Sequence, residues 1–142
     1  MDTNNSNDAA ITSQIVAEDQ RMEVVDKLFG INFPMRLEPC IYAITEKLSK
    51  DYRGGYWEFF ALSNGGFYMA PNIDTSFPVS CENGFEGQLS ADAMGITACL
   101  YAYSTLSFNG DSFAELCAEQ YHLLREYIFQ HTECEAILRA ID

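Results

Sequence analysis

The sequence predicts an α+β fold, a small three-stranded antiparallel sheet packed with four or five helices. Three observations carry that prediction. Residues 56–70 hold two aromatic-rich runs on either side of Ser63-Asn64-Gly65-Gly66, and Asn-Gly tolerates the positive φ angles of a type I′ hairpin turn. Residues 77–81 read as a third strand, which Pro78 confines to an edge or to a start at Val79. From Ser90 onward the apolar spacing lengthens to that of helices.

The hairpin is apolar on both faces. Alternation puts Tyr56, Glu58, Phe60 and Leu62 on one side and Trp57, Phe59 and Ala61 on the other. One side covers a core, and the other must be covered by further elements of the chain or by a partner.

The remaining elements follow in order. Residues 1–10 are mainly Asn, Asp and Ser with little to bury and read as a disordered tail before a single domain over 11–142. Met22, Val25, Leu28 and Phe29 fall at helical spacing over residues 19–29, with Gly30 where a left-handed C-terminal residue belongs. Leu37, Cys40, Ile41, Ile44 and Leu48 make one stripe of a second helix over 37–50. Asn83-Gly84 marks another turn, and Ser90 is a natural N-cap for an almost wholly apolar, central helix over 91–106. Ser112-Phe113-Ala114-Glu115 and Thr132-Glu133-Cys134-Glu135 have the capping-box form and open the last two helices. The sheet is placed between an N-terminal and a C-terminal helical part.

The totals exclude several functions. Eight basic against 21 acidic residues give a formal charge of −13, which disfavours direct capture of nucleic acid or an anionic membrane. Between Arg53 and Arg125 every charged residue is acidic, so the middle of the chain suits a basic protein partner or an imitation of DNA phosphates. The uncharged run 93–110 carries too many Thr, Ser, Asn and Gly residues for a membrane span. Five cysteines, odd in number and without a Cys-x-x-Cys pair, read as reduced thiols of a cytoplasmic protein.

Chemistry is sparse. No phosphate-cradling loop is present, because Gly54-Gly55 precedes a strand. His131, Cys134 and Glu135 could offer three metal ligands, but they straddle a helix boundary. No local signature pairs a cysteine with His122 or His131 as nucleophile and base. Glu58, a carboxyl among aromatics, is the candidate for acid chemistry and otherwise a strand residue within reach of Arg53. Catalytic, cofactor and metal residues are therefore expected to be none.

Three strings carry a family resemblance: residues 52–60 (YRGGYWEFF), 62–71 (LSNGGFYMAP) and 89–96 (LSADAMGI), supported by Asp19-Gln20-Arg21 and Leu28-Phe29-Gly30. Together they resemble the ArdB/KlcA antirestriction proteins of plasmids and other mobile elements, over nearly the whole chain. The resemblance implies a cytoplasmic protein that relieves type I restriction of incoming unmodified DNA, and it brings no catalytic residues. Three mechanisms are compatible with it. Interference by contact with the restriction enzyme or a host factor ranks first, through a surface at Arg53, Tyr56, Trp57, Glu58 and Asn64. An acidic DNA mimic ranks second, since the carboxylates are irregularly spaced; a small thiol or acid hydrolase ranks third.

Overall fold

In the computed structural model, which describes residues 10–142, β2 (Trp57–Leu62) and β3 (Phe67–Pro71) pair antiparallel, with Phe59 opposite Met69 and Phe60 opposite Tyr68. The tail expected over residues 1–10 lies, but for Ala10, outside the described residues. At the tip the Gly65 N–H donates to the Leu62 carbonyl (3.0 Å) and the Leu62 N–H to that of Gly66 (2.9 Å). Gly65 alone takes a positive φ (94°), while Asn64 does not. The turn is thus the longer form in which a glycine follows the bend, instead of type I′. Asn64 contributes through its side chain, whose oxygen accepts from the Gly66 N–H at 2.9 Å.

The third strand of this sheet is not the expected one. It is β1 (Ser13–Ile15), which lies along β2 with Ile15 opposite Phe60. The segment near 77–81 forms β4 (Ser76–Ser80) and pairs with β5 (Glu86–Ser90) in a separate two-stranded sheet. Closing a hairpin across Glu82-Asn83-Gly84 orders less chain than reaching back to β3. The turn repeats the first, with Gly84 at φ 96° and its N–H on the Cys81 carbonyl (3.0 Å). Pro78 does sit on an edge, and Phe77 and Val79 alternate inward.

Five helices complete the α+β architecture. α1 (Arg21–Phe29) follows a single 3-10 turn and ends at Gly30, φ 60°. A π-helical turn over Phe33–Leu37 leads into α2 (Glu38–Leu48). α3 (Ala91–Leu106) begins where the sequence places it, with the Ser90 hydroxyl accepting from the Ala93 N–H at 3.0 Å. α4 (Ser112–Ile128) is capped one residue earlier than the Ser112 pattern suggests, because the Asp111 carboxylate takes the Ala114 N–H at 2.8 Å and also reaches Arg36 at 3.0 Å. α5 (Cys134–Ile141) has no side-chain cap; Glu133, which precedes it, turns its carboxylate to the Ser90 N–H and hydroxyl.

α3 is the axis of the core, packed on β3, β4 and β5 and on α2, α4 and α5. Its residues from Ala93 to Leu100 are all buried. One face of the sheet meets an aromatic cluster of Phe29, Phe33, Phe59, Phe67 and Tyr103, with ring centroids 5.5–6.4 Å apart. On the other face Tyr68 stacks between Phe60 (4.5 Å) and Tyr127 of α4 (6.0 Å).

Candidate partner surface

The hairpin entry is organised by an arginine that the sequence does not single out. Arg21, at the start of α1, donates to the Trp57 carbonyl (2.7 Å) and to the Glu58 carboxylate (3.0 Å). Its guanidinium lies 4.7 Å above the Tyr56 ring and 4.5 Å above that of Phe59. The Trp57 carbonyl points into the lane that β1 occupies further along, where Val16 donates to the Phe59 carbonyl at 2.8 Å. Arg21 therefore takes over where β1 stops. A charged donor there does what a strand backbone would do, and the cation is itself neutralised by Glu58.

This placement redistributes the sequence-derived surface residues. Glu58 is bound to Arg21 and not to Arg53, which is exposed and turns back to the Lys50 and Tyr52 carbonyls. Trp57 is 3% exposed, its indole N–H donating to the Tyr52 hydroxyl at 2.8 Å, so it belongs to the core rather than to the surface. Tyr56 is 49% exposed. Asn64 is half-buried and committed inside the chain, since its amide donates to the Leu123 carbonyl of α4 at 2.9 Å. The second turn has the same device: the Asn83 amide donates to the Arg139 and Ala140 carbonyls of α5 at 3.0 and 3.1 Å. Each Asn-Gly turn fastens its hairpin to one C-terminal helix.

Titratable groups also meet at the start of α3. Asp92 accepts from the Tyr68 hydroxyl at 2.8 Å and faces His131 Nε2 at 2.8 Å. The Glu133 N–H donates to His131 Nδ1 at 3.0 Å, which assigns the ring proton to Nε2. Burial and the adjacent Asp92 push the Tyr68 phenol well up from its ordinary range. These groups satisfy one another and tie the start of α3 to β3 and to the α4–α5 connection, and among the described residues no hydroxyl or thiol hydrogen-bonds His131.

Three of the five thiols, Cys81, Cys99 and Cys117, are buried, and Cys40 and Cys134 are half-buried. Burial pushes Cys99 and Cys117 up to about 12 and raises Cys40 and Cys81, so these four are protonated at neutral pH. Among the described residues no group of three or more His, Cys, Asp or Glu side chains could hold a metal ion, and His131, Cys134 and Glu135 do not converge. No helix there is long and apolar enough to cross a membrane. Two open troughs flank the end of α2, one of about 710 Å³ lined by Tyr42, Lys50, Arg53 and Gly54 and one of about 730 Å³ lined by Lys47, Asp51, Pro78 and Gly87.

Fold and charge together define an acidic α+β protein. Comparison with known proteins places it in a family. The antirestriction protein family model matches residues 50–142. Antirestriction protein KlcA of Escherichia coli is 40% identical over 141 residues, covering 97% of this chain and 99% of the relative. The uncharacterized protein YafX of Escherichia coli strain K12 is 40% identical over 136 residues, covering 93% of this chain and 88% of the relative. A solved structure superposes with a TM-score of 0.87 at 41% identity, covering 94% of this chain and 96% of the other. It comes from work on the KlcA and ArdB proteins, which show a novel fold and antirestriction activity against type I DNA restriction systems in vivo but not in vitro. The chain belongs to the antirestriction protein family.

Proposed function

We propose that the protein relieves type I restriction of incoming unmodified DNA in the cytoplasm, by contact with the restriction enzyme or an associated host factor and without catalysis. The observation that carries this reading is the end-to-end likeness to proteins active against type I systems in vivo but not in vitro. Activity that needs the cell fits an inhibitor whose target includes a component absent from the purified reaction. A DNA mimic, by contrast, needs only the enzyme's own DNA groove.

The distribution of carboxylates supports the same choice. Of the acidic residues between Arg53 and Arg125, Glu58 is bound to Arg21, Asp92 to Tyr68 and His131, and Asp111 to Arg36. Those are spent within the fold. Asp74, Glu82 and Glu86 lie on or beside the β4–β5 hairpin, whereas Glu115 and Glu119 lie on α4, so the free charges are divided between separate elements. Mimicry of a duplex needs them regularly spaced along one face.

The test is the plating of unmodified phage on a host with a type I system, with and without the protein, together with the modification state of surviving phage. Restored plating with modification intact is the expected result. Loss of both restriction and modification favours mimicry, and unrestored plating in cells containing folded protein contradicts the reading.

A further inference from the structure

Among the described residues the three-stranded sheet has one open edge. Because Val16 donates to the Phe59 carbonyl and Thr12 accepts from Ser63, Gln14 faces β2 in the ladder, and the backbone groups of Ser13 and Ile15 point away from it. Among the described residues neither Ser13 nor Ile15 has a backbone hydrogen-bond partner. The Ile15 side chain is 54% exposed at the end of a cross-strand row that runs from Ile15 to Phe60 to Tyr68. Beyond the strand the same lane is continued by Arg21 and the exposed ring of Tyr56.

The surroundings of this edge are acidic. Over residues 10–29 the charged residues are Glu18, Asp19, Glu23 and Asp26, all exposed, against Arg21, which is held by Glu58, and Lys27, which lies in the last turn of α1. A second copy docked edge to edge would bring these acids together, so self-pairing is opposed by charge. A basic strand is attracted instead.

We infer that the β1 edge is the docking site for an extended, basic segment of the partner protein, which adds as a fourth strand and sets an apolar side chain beside Ile15. The inference rests on the proposed contact mechanism and specifies its surface. Main-chain hydrogen bonds to Ser13 and Ile15 supply affinity, the Ile15 to Tyr68 row selects an apolar residue, and Glu18 and Asp19 select flanking cations. An edge of three residues makes few such bonds, which suits a weak contact.

Two experiments test it. The isotopically labelled full-length protein is titrated with the synthetic peptide Lys-Val-Lys-Val-Lys-Val-Lys and with its Glu-for-Lys counterpart. The basic peptide is expected to shift the Ser13 and Ile15 amides and slow their exchange, and the acidic one to leave them unchanged. Ile15→Pro, which removes an outward N–H without touching the bonds to β2, is expected to weaken the basic peptide about tenfold. Shifts centred elsewhere, equal effects of both peptides, or amides already protected in the free protein overturn the proposal.

In cells, Ile15→Pro and Ile15→Lys are expected to reduce relief of plating about tenfold. Phe108→Lys, at a residue 84% exposed in the α3–α4 connection, is expected to retain it. Full relief by a folded Ile15 variant overturns the edge as the docking site and leaves the antirestriction reading standing. No relief by the wild-type protein removes that reading, and the peptide titration then decides the edge alone. If the Pro variant does not fold, the Lys variant carries the same test.

Discussion

The two edges of the three-stranded sheet are treated in opposite ways. On the β3 side the outward backbone groups are consumed by the central helix. The Tyr103 hydroxyl donates to the Phe67 carbonyl (2.8 Å), and the Cys99 sulfur accepts from the Met69 N–H (3.5 Å) and donates to its carbonyl (3.6 Å). Pro71 presents no N–H to satisfy. Gly95 lets the helix come this close, for a Cβ there would stand 2.4 Å from Ala70 Cβ and 2.6 Å from the Met69 carbonyl oxygen. On the β1 side the groups of Ser13 and Ile15 face outward, and only Arg21 extends the lane. An edge sealed by residues of the core costs stability when altered, while an open one costs binding. The difference separates structural from functional positions within one sheet.

The largest effect is expected at the sealed edge. Gly95→Ala would gain ~1 kcal/mol of helix propensity in an isolated helix. Here it forces backbone apart, and we expect a net loss of about 3 kcal/mol. That corresponds to a melting temperature lower by about 10 °C, measurable by calorimetry. A neutral or raised melting temperature would mean that α3 does not seat on β3 as described.

Tyr103→Phe removes a hydroxyl and leaves the buried Phe67 carbonyl unpaired, at a cost of about 2 kcal/mol in denaturant unfolding. The Tyr103 phenol is raised well above its ordinary range by burial, so this contribution does not titrate away below pH 10. Asn64→Ala loses both the Gly66 and Leu123 bonds and is expected to cost ~1.5 kcal/mol, with antirestriction in cells lowered no more than stability explains. If Asn64→Ala keeps full stability but abolishes relief, the residue belongs to the contact surface after all.

At the open edge, Ile15→Pro should change stability by less than about 0.5 kcal/mol. A control touching neither edge is Asp111, whose carboxyl is held below the usual range first by the Ala114 N–H and then by Arg36. A lowered folded value means that its contribution is present above the ordinary carboxylate range near ~3.9 and fades as the pH falls through the folded value. Acid unfolding of Asp111→Ala should accordingly approach that of the wild type at the lowest pH.

How much of this was legible in the sequence depends on the range of each interaction. Ser90 and the run after it locate α3, because a cap and an apolar helix are local signals. The Asn-Gly pairs mark both turns, and the charge count points away from direct capture of nucleic acid. β1 escapes because Ser13-Gln14-Ile15 is too short and too polar to show a period. The sequence offers Glu58 a partner in Arg53, five positions away, while Arg21 reaches it from 37 positions away. Trp57 reads as surface from a strand apolar on both faces, and only the packing of Tyr42 and Tyr52 against its ring reveals it as core. Segment 77–81 is recognisably a strand, but a pattern carries no information about which edge it joins.

Amide hydrogen exchange resolved to single residues tests the central contrast most directly. The account predicts that the Met69 amide exchanges only through global unfolding, while the Ser13 and Ile15 amides exchange orders of magnitude faster in the free protein. Equal protection at Ile15 and Met69 would show that both edges are covered in the free protein, and would contradict an open edge held for a partner.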